Sequence, residues 1–381
     1  MEWKEILFDD FCRLNRGFDL PNEKIVEGKV PVVASSSIKA FHNVSKVKAP
    51  GVVTGRSGTL GIVQYIEQDY WPLNTSLYVK DFKGNNPKFC YYFLQMMHLE
   101  NFNAGAGVPT LNQNHLHKLK IKVPSTYQEQ EKVASILSDY DTLIDINTKR
   151  IKLLEETARE LYKEWFVRMR FPGHEQTKFV KGIPKGWIIS TLQDFGRIET
   201  GKTPSMERAE YYEGDYLFIK TPDMHNSMFV INSTETLSEA GNNCQKKKLL
   251  PVNSIMVSCI GSTGVGEVAI NAKKAHTNQQ INSIILHNQE WLYWLYFTCE
   301  SLKPTIEMYG ATGSTMINLS KGKFENLKVV KPTNAIVEQF NKVESPLFEE
   351  IKNLQLQNHN LAATHDRLLP RLLSGELKVE T

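Results

Sequence analysis

"WKEILFDDFCRLNRG" at residues 3–17 and "WIISTLQDFGRIETG" at residues 187–201 decide how this 381-residue chain is read. Each opens on a tryptophan (Trp3, Trp187), closes on a glycine (Gly17, Gly201) and places an aromatic at the same step (Phe11, Phe195). The later elements of the two halves also share one order. A glycine-studded stretch comes next, "VVTGRSGTLGIV" (52–63) and "IMVSCIGSTGVGEVAI" (255–270). A polar, Asn-bearing stretch then leads into an apolar strand, "LNTSLYV" (73–79) and "TNQQINSIIL" (277–286). An aromatic helix succeeds it, "FCYYFLQMMHL" (89–99) and "EWLYWLYFTCESL" (290–302). After it come "NAGAGVPTLN" (103–112) and "YGATGSTMIN" (309–318), and each half ends on an apolar strand and a proline, "LHKLKIKVP" and "FENLKVVKP". A fixed order of elements met twice indicates a duplicated domain with diverged surface residues.

After each proline the periodicity changes. In the first half the apolar positions run Val133, Leu137, Tyr140, Ile144, Asn147, Ile151, Leu154, Ala158, Leu161, Trp165, in steps of four and three. In the second they run Ile336, Phe340, Val343, Leu347, Ile351, Leu354, Asn358, Leu361, His365, Leu368, Leu372. These are heptad seams, the second interrupted by a stutter between Leu347 and Ile351. Pro346 sits at the stutter, so the helix either kinks there or starts afresh with Ser345 as its cap. Helices of this length span roughly 55–60 Å at 1.5 Å per residue. They either pair as an antiparallel coiled coil, which the heptad period favours, or pack each on its own domain. Asn147 and Asn358 are candidate register devices. The expected fold is α+β: two repeated mixed α/β domains separated by two long antiparallel coiled-coil helices, with pseudo-two-fold symmetry. The boundaries expected are 1–125 for the first domain, 126–168 for the first helix, 169–333 for the second domain, and 334–381 for the second helix and tail.

The net charge of +3 hides an alternation. Residues 1–125 and 167–335 are each basic by four charges, whereas 126–166 and 336–381 are acidic by three and by two. Basic globular parts beside acidic helices suit nucleic acid on one side and protein on the other. No apolar run reaches the ~18 residues of a membrane span, and "MEWKEILFDD" lacks the basic-then-apolar start of a signal peptide. Cys12, Cys90, Cys244, Cys259 and Cys299 are odd in number and never form C-x-x-C, which fits a reducing cytoplasm and argues against a disulfide framework or a zinc cluster.

The stretch "ETGKTPS" (199–205) with "EYYEGDYLFIKTPDM" (210–224) resembles the opening of a target-recognition domain in type I restriction–modification specificity subunits. "TNQQINSIIL" resembles the same family, as do the joint "RELYKEWFVRMRFPG…KGIPKGWIISTL" (159–192) and the end "RLLPRLLSGEL" (367–377). The resemblance covers essentially the whole chain in order. It departs most in the first half, which has "RLNRGFDLP" where the second has "RIETGKTPS". It implies a non-catalytic, DNA-reading subunit that needs no cofactor. Each domain would read one half of a split double-stranded DNA site. The helices would set the spacing and dock methyltransferase subunits, two being expected. An ATP-dependent translocase and nuclease subunit would join for restriction, and the complex would be cytoplasmic.

Base readout needs donors and acceptors on short rigid loops, and phosphate contact needs Lys, Arg, hydroxyls and backbone N–H groups. The DNA-binding candidates in the first half are Ser36, Lys39, Arg56, Ser57, Thr59, Asn74 and Thr75. Those in the second are Lys202, Thr203, Lys220, Thr221, Ser262, Thr263, Asn278, Gln279 and Gln280. Asn74 and Asn278 recur in both halves, which suits turn residues as well as base contacts. Lys246, Lys247 and Lys248 read as a solvated loop. The seam candidates are Leu137, Ile144, Ile151, Leu154, Leu161, Ile351, Leu354, Leu361 and Leu368. Glu155, Glu156, Glu160 and Glu164 are assigned to solvated helix faces, and His115 and His117 to surface polarity.

"GRIETGKT" (196–203) fits G-x-x-x-x-G-K-[ST] at every position. A working phosphate loop, however, lies between a buried strand and a helix that begins at the Lys. Here "ISTLQDF" reads as a short amphipathic helical turn, and Pro204 pushes Thr203 away from helical angles. A nucleotide hydrolase and a protein-binding coiled-coil scaffold remain the competing functions. The sequence has no methyltransferase, zincin or EF-hand motif.

Overall fold

The computed structural model describes residues 2–311 and 316–379, so the middle of the repeat element "YGATGSTMIN" lies outside the described residues. The chain forms two compact units, Met1–Ile144 with Asn360–Thr381, and Asp145–His359. Four helices frame them: α1 (Pro87–Met96), α2 (Tyr127–Tyr162), α3 (Leu292–Ser301) and α4 (Asn334–Leu373).

In the first unit a four-stranded antiparallel sheet runs in the order Arg13–Arg16, Ser76–Asp81, Gly51–Gly55, Val63–Ile66. A second sheet places Val30–Val33 between Ile38–His42 and Trp71–Pro72, and Trp3–Leu7 pairs with Lys120–Pro124. The second unit repeats this plan. Its main sheet runs Gly196–Thr200, Ile281–Leu286, Ile255–Ser258, Val268–Asn271, with Phe229–Val230 added in parallel at the edge. Tyr212–Ile219 lies between Glu235–Leu237 and Ala275–Thr277, and Ile188–Thr191 pairs with Lys328–Lys331. Contrary to the helical turn expected for "ISTLQDF", Ile188–Thr191 is a strand, and only Leu192–Asp194 forms a helical turn. Two neighbouring isoleucines suit an extended ladder better than a helical turn.

Local chemistry starts the helices. Asn86 accepts from the Lys88 and Phe89 N–H groups, and Pro87 takes the first position of α1, where its missing N–H costs nothing. Thr126 and Glu129 form a reciprocal capping box at the start of α2. Helix α4 runs unbroken through Pro346, so neither a fresh start nor a Ser345 cap is needed.

The helices bury their stripes in two places at once. In the first unit Val133 and Leu137 of α2 meet Leu372 and Leu373 of α4 in one core with Phe11, Phe89 and Phe93. Leu368 packs against that core, while Ile144 and Leu361 are half-buried. In the second unit Ile151, Leu154 and Leu161 pack on a core shared with Phe340, Phe348 and Ile351, and with Trp294 and Phe297 of α3. Leu354 is buried as well. Partner helix and domain core are therefore both covered by the same stripe. Within the second unit Asn358 Nδ2 donates to Thr148 Oγ1 at 3.2 Å and Arg150 Nη2 to Glu350 Oε1 at 2.7 Å. Numbers rise on one helix as they fall on the other, so the segments are antiparallel. Buried Asn147 reaches Gln357 Oε1 at 3.5 Å.

The heptad reading slips near Pro346. Val343 is 47% exposed, whereas Glu344 and Phe348 are fully buried. The observed stripe is Val337, Phe340, Glu344, Phe348, Ile351, a broader face that suits packing on a globular domain. Glu155 also leaves its expected solvated face. It lines a cavity of about 580 Å³ with Arg159, Tyr296 and Glu300, and burial pushes its carboxyl up to about 7. Arg159 pairs with Glu300 through two bonds of 3.1 and 3.0 Å.

Candidate nucleic-acid interface

The strand ladders align the two copies residue by residue. Arg16 pairs with Leu77, and Thr200 with Asn282. Thr54 also pairs with Leu77, and Val257 with Asn282. Val33 pairs with Pro72, and Ile219 with Thr277. Loop bonds agree: the Leu73 N–H donates to Val33 O at 2.8 Å and the Asn278 N–H to Ile219 O at 3.2 Å. The Leu111 N–H donates to Arg56 O at 2.8 Å and the Leu319 N–H to Cys259 O at 2.9 Å.

This frame moves one sequence-based equivalence. Asn278 stands where Leu73 does, and the counterpart of Asn74 is Gln279. Asn278 is buried, its Oδ1 accepting the Gln280 N–H at 3.2 Å and its Nδ2 donating to Gln280 Oε1 at 3.0 Å. It closes a turn, in the local side-chain-to-backbone pattern typical of Asn. By the same count Asp19 matches Thr203, Arg56 matches Cys259, and Ala34 and Ser35 match Lys220 and Thr221.

Gly17 and Gly201 hold the two frames together. A Cβ on Gly17 would lie 2.2 Å from Leu73 O, and one on Gly201 2.2 Å from Asn278 O. Only glycine lets these strand ends meet so closely. The same observation disposes of the phosphate-loop motif. Its first five residues, Gly196–Thr200, are paired strand, Gly201 is pressed against a neighbouring turn, and Lys202–Ser205 is coil.

At this sheet end the first copy gathers Arg56, Ser57, Asn74 and Thr75. The Arg56 and Ser57 N–H groups donate to Thr75 O, and Arg56 Nη1 donates to Asn74 O at 3.2 Å. Asp19 and Arg16, absent from the sequence-based candidates, join them. Asn74 Nδ2 donates to Asp19 Oδ1, and Arg16 pairs with Asp19 at 3.5 Å. Counting from the repeated glycines sets Asp19 opposite Thr203 in the bare sequence. Thr59 is exposed beside Gly58, which has φ +88°. Ser36 is exposed in the bend between Val30–Val33 and Ile38–His42, and Lys39 donates to Asn22 Oδ1 at 2.9 Å.

The second copy gathers Lys202, Thr203, Asn278, Gln279 and Gln280. Lys202 is exposed, with its N–H held by Thr277 O. Thr203 Oγ1 donates to Gln279 Oε1 at 2.8 Å. Lys220 is spent on Glu235, and Thr221 is buried. Ser262 and Thr263 are exposed on the loop after Gly261. Lys248 is not a free solvated charge: it donates to Glu199 Oε1 at 2.8 Å and Thr200 O at 2.6 Å, fastening the strand edge. Glu199 also binds Arg197 at 2.5 Å. His117, expected at the surface, accepts the Leu14 N–H at 3.1 Å and stacks on Phe8.

Charge differs between the copies. Arg16 and Arg56 of the first correspond to Thr200 and Cys259 of the second. Burial pushes the Cys259 thiol up to about 12, so that position is neutral. Burial lowers the His276 imidazole to about 4, and its Nε2 lies 3.0 Å from Asn242 Oδ1. Such an end offers hydrogen-bonding side chains, exposed lysine and close-lying backbone, the groups that contact bases and phosphates. Among the described residues no His, Cys, Asp and Glu cluster is placed to hold a metal ion, and no helix is long and apolar enough to cross a membrane.

Comparison with known proteins points to a family. The model of the type I restriction modification DNA specificity domain matches residues 1–156 and again 184–358. The type I restriction enzyme HindI specificity subunit of Haemophilus influenzae is 30% identical over 330 residues, covering 71% of each chain. The MjaIX specificity subunit of Methanocaldococcus jannaschii is 30% identical over 309 residues, covering 77% of this chain and 69% of that one. In fold, the chain is similar to the S subunit of a type I restriction–modification system from M. genitalium. The TM-score is 0.66 at 17% identity, over 100% of this chain and 97% of that one.

Proposed function

The chain belongs to the type I restriction–modification DNA specificity family, and from that premise we propose that it reads a bipartite double-stranded DNA site, one half with each unit. The observation that carries this reading is the register match between the copies. From residues 14–16 and 198–200 onward the frame is kept pair for pair, while the side chains at one sheet end are exchanged: Arg16 for Thr200, Asp19 for Thr203, Asn74 for Gln279. A scaffold kept while its outward residues change is what two readers of different half-sites require.

The reading extends to partners. The chain is non-catalytic alone and confers its sequence preference on methyltransferase subunits, two being expected, which dock on the helices. A translocase and nuclease subunit completes the restriction complex in the cytoplasm. Exposed Leu143 on the first unit, and Ile146 and Leu153 on the second, lie off the buried stripes of α2 and support a protein-facing role for that helix. Strand geometry over Gly196–Thr200 speaks against the nucleotide-hydrolase alternative.

The test is co-purification of the full chain with methyltransferase subunits, followed by mapping of methylated adenines. Two short half-motifs separated by an unread gap are expected. Methylation without a bipartite motif, or DNA binding with no sequence preference, would sink the proposal.

A further inference from the structure

Asp19 and Thr203 occupy one position in the two copies, and Asn74 and Gln279 another. In each copy the two positions are joined side chain to side chain, but with opposite polarity. Asn74 gives an amide N–H to Asp19. An ionised carboxylate has no proton to donate, so the Asn74 amide must turn its nitrogen inward, and its carbonyl Oδ1 faces away from Asp19. In the second copy the Thr203 hydroxyl donates to the Gln279 carbonyl at 2.8 Å, so the Gln279 amide nitrogen faces away. Gln279 is exposed and Asn74 half-buried, both at the sheet end that gathers the candidate residues.

We propose that these two pairs set the hydrogen-bonding sign each unit shows to DNA: Asn74, held by Asp19, presents an acceptor, and Gln279, held by Thr203, presents a donor. The inference rests on the DNA-reading proposal and deepens it by naming the specificity-determining residues. In the major groove an acceptor suits a base with an exocyclic amino group, adenine N6 or cytosine N4. A donor suits guanine O6 or N7, or thymine O4. Asp19 and Thr203 act as positioning residues: Asp19, which only accepts, fixes which end of the Asn74 amide turns outward, and Thr203, donating to Gln279 Oε1 here, favours the outward amide nitrogen without enforcing it. Arg16, 3.5 Å from Asp19, helps hold that carboxylate in place.

A carboxylate only accepts hydrogen bonds, whereas a threonine hydroxyl can also donate one. Thr203→Asp gives the second copy the first copy's partner, and Asp19→Thr does the reverse. The full chain, co-expressed with its methyltransferase subunits, is assayed by sequencing methylated genomic DNA. The expected result is a motif unchanged except at one base pair. Thr203→Asp moves the second half-site from an accepting base toward a donating one, with a change in preference of about tenfold. Asp19→Thr, whose hydroxyl can donate or accept, relaxes one position of the first half-site toward accepting bases. A wild-type motif retained by both variants overturns the inference and leaves the DNA-reading proposal standing. A wild-type complex that methylates no defined motif overturns both. Should Thr203→Asp abolish methylation, Thr203→Val decides, since it removes the donor without adding charge. Relaxed choice at that same base pair supports the inference, and an unchanged motif overturns it.

Discussion

The two sheet ends are built on one backbone plan and carry different chemistry. The first is a charged chain, Arg16 to Asp19 to Asn74 to Arg56, closed by ion pairing and by the Arg56 bond to Asn74 O. The second is uncharged at the equivalent places, with Thr200 bound to Asn282 Oδ1 at 2.6 Å and Thr203 bound to Gln279. Backbone contacts fix where these side chains stand, and side-chain partners fix which way they face. A duplicated reader can therefore change what it recognises without touching the ladder that supports it. The helices show the same divergence in their cores. Counted from the first residue of each, Leu137 and Glu344 take the eleventh position, and both are fully buried.

The largest effect expected comes from breaking the shared frame. Gly201→Val would drive a side chain into Asn278 O and Thr277 O, and overpacking against backbone should cost about 3 kcal/mol. Thermal unfolding would report the loss, and the second half-motif should disappear from the methylation map while the first persists. Second in size is the buried carboxyl. Both Glu344 oxygens lack a hydrogen-bond partner, and burial raises its pKa to about 8. The folded state binds that proton more tightly than the unfolded state, so Glu344 costs nothing below the unfolded value of 4.5 and progressively more up to about pH 8. Glu344→Gln should therefore stabilise the chain by a few kcal/mol above pH 8, the rise from 4.5 to about 8 setting an upper bound of about 5 kcal/mol, and leave it unchanged at about pH 4. A flat difference across that range would show that burial of the carboxyl is not what sets this copy apart from Leu137.

His276 occupies the place of Trp71. Its folded pKa is lowered to about 4 from 6.5, so stability present above pH 6.5 is lost as pH falls toward 4. His276→Phe should remove that acid sensitivity, worth about 1–2 kcal/mol near pH 4.5, in denaturant titrations at several pH values. Smallest are the lysines. Lys202→Ala should weaken DNA binding across sequences and lower the salt slope by about one. Lys220→Ala should do less, because Glu235 already holds that ammonium. Equal losses in gel shifts at two salt concentrations would place both on the phosphate backbone.

The repeat, the four main helices and the paired strands were legible because their signals are local: periodicity, caps, glycines and prolines. The one-residue offset between Asn74 and Asn278 is hidden for the opposite reason. A letter match in sequence cannot see a one-residue offset that the ladders make plain. Glu155 and Glu344 were hidden because helical periodicity says which face a residue lies on, not what covers that face. The Arg16–Asp19 pair was missed because "RLNRGFDLP" shares only its first arginine and its glycine with "RIETGKTPS".

By itself the sequence determined that this protein is a domain and a helix, twice over, since order and hydrophobic period are written along the chain. Tertiary structure alone decided that Asp19 and Thr203 address equivalent amides, that Gly201 belongs to a strand end instead of a phosphate loop, and that one buried stripe serves partner helix and domain core together. Those are facts of register and packing between residues 55 to 210 positions apart, and no local pattern in the chain encodes them.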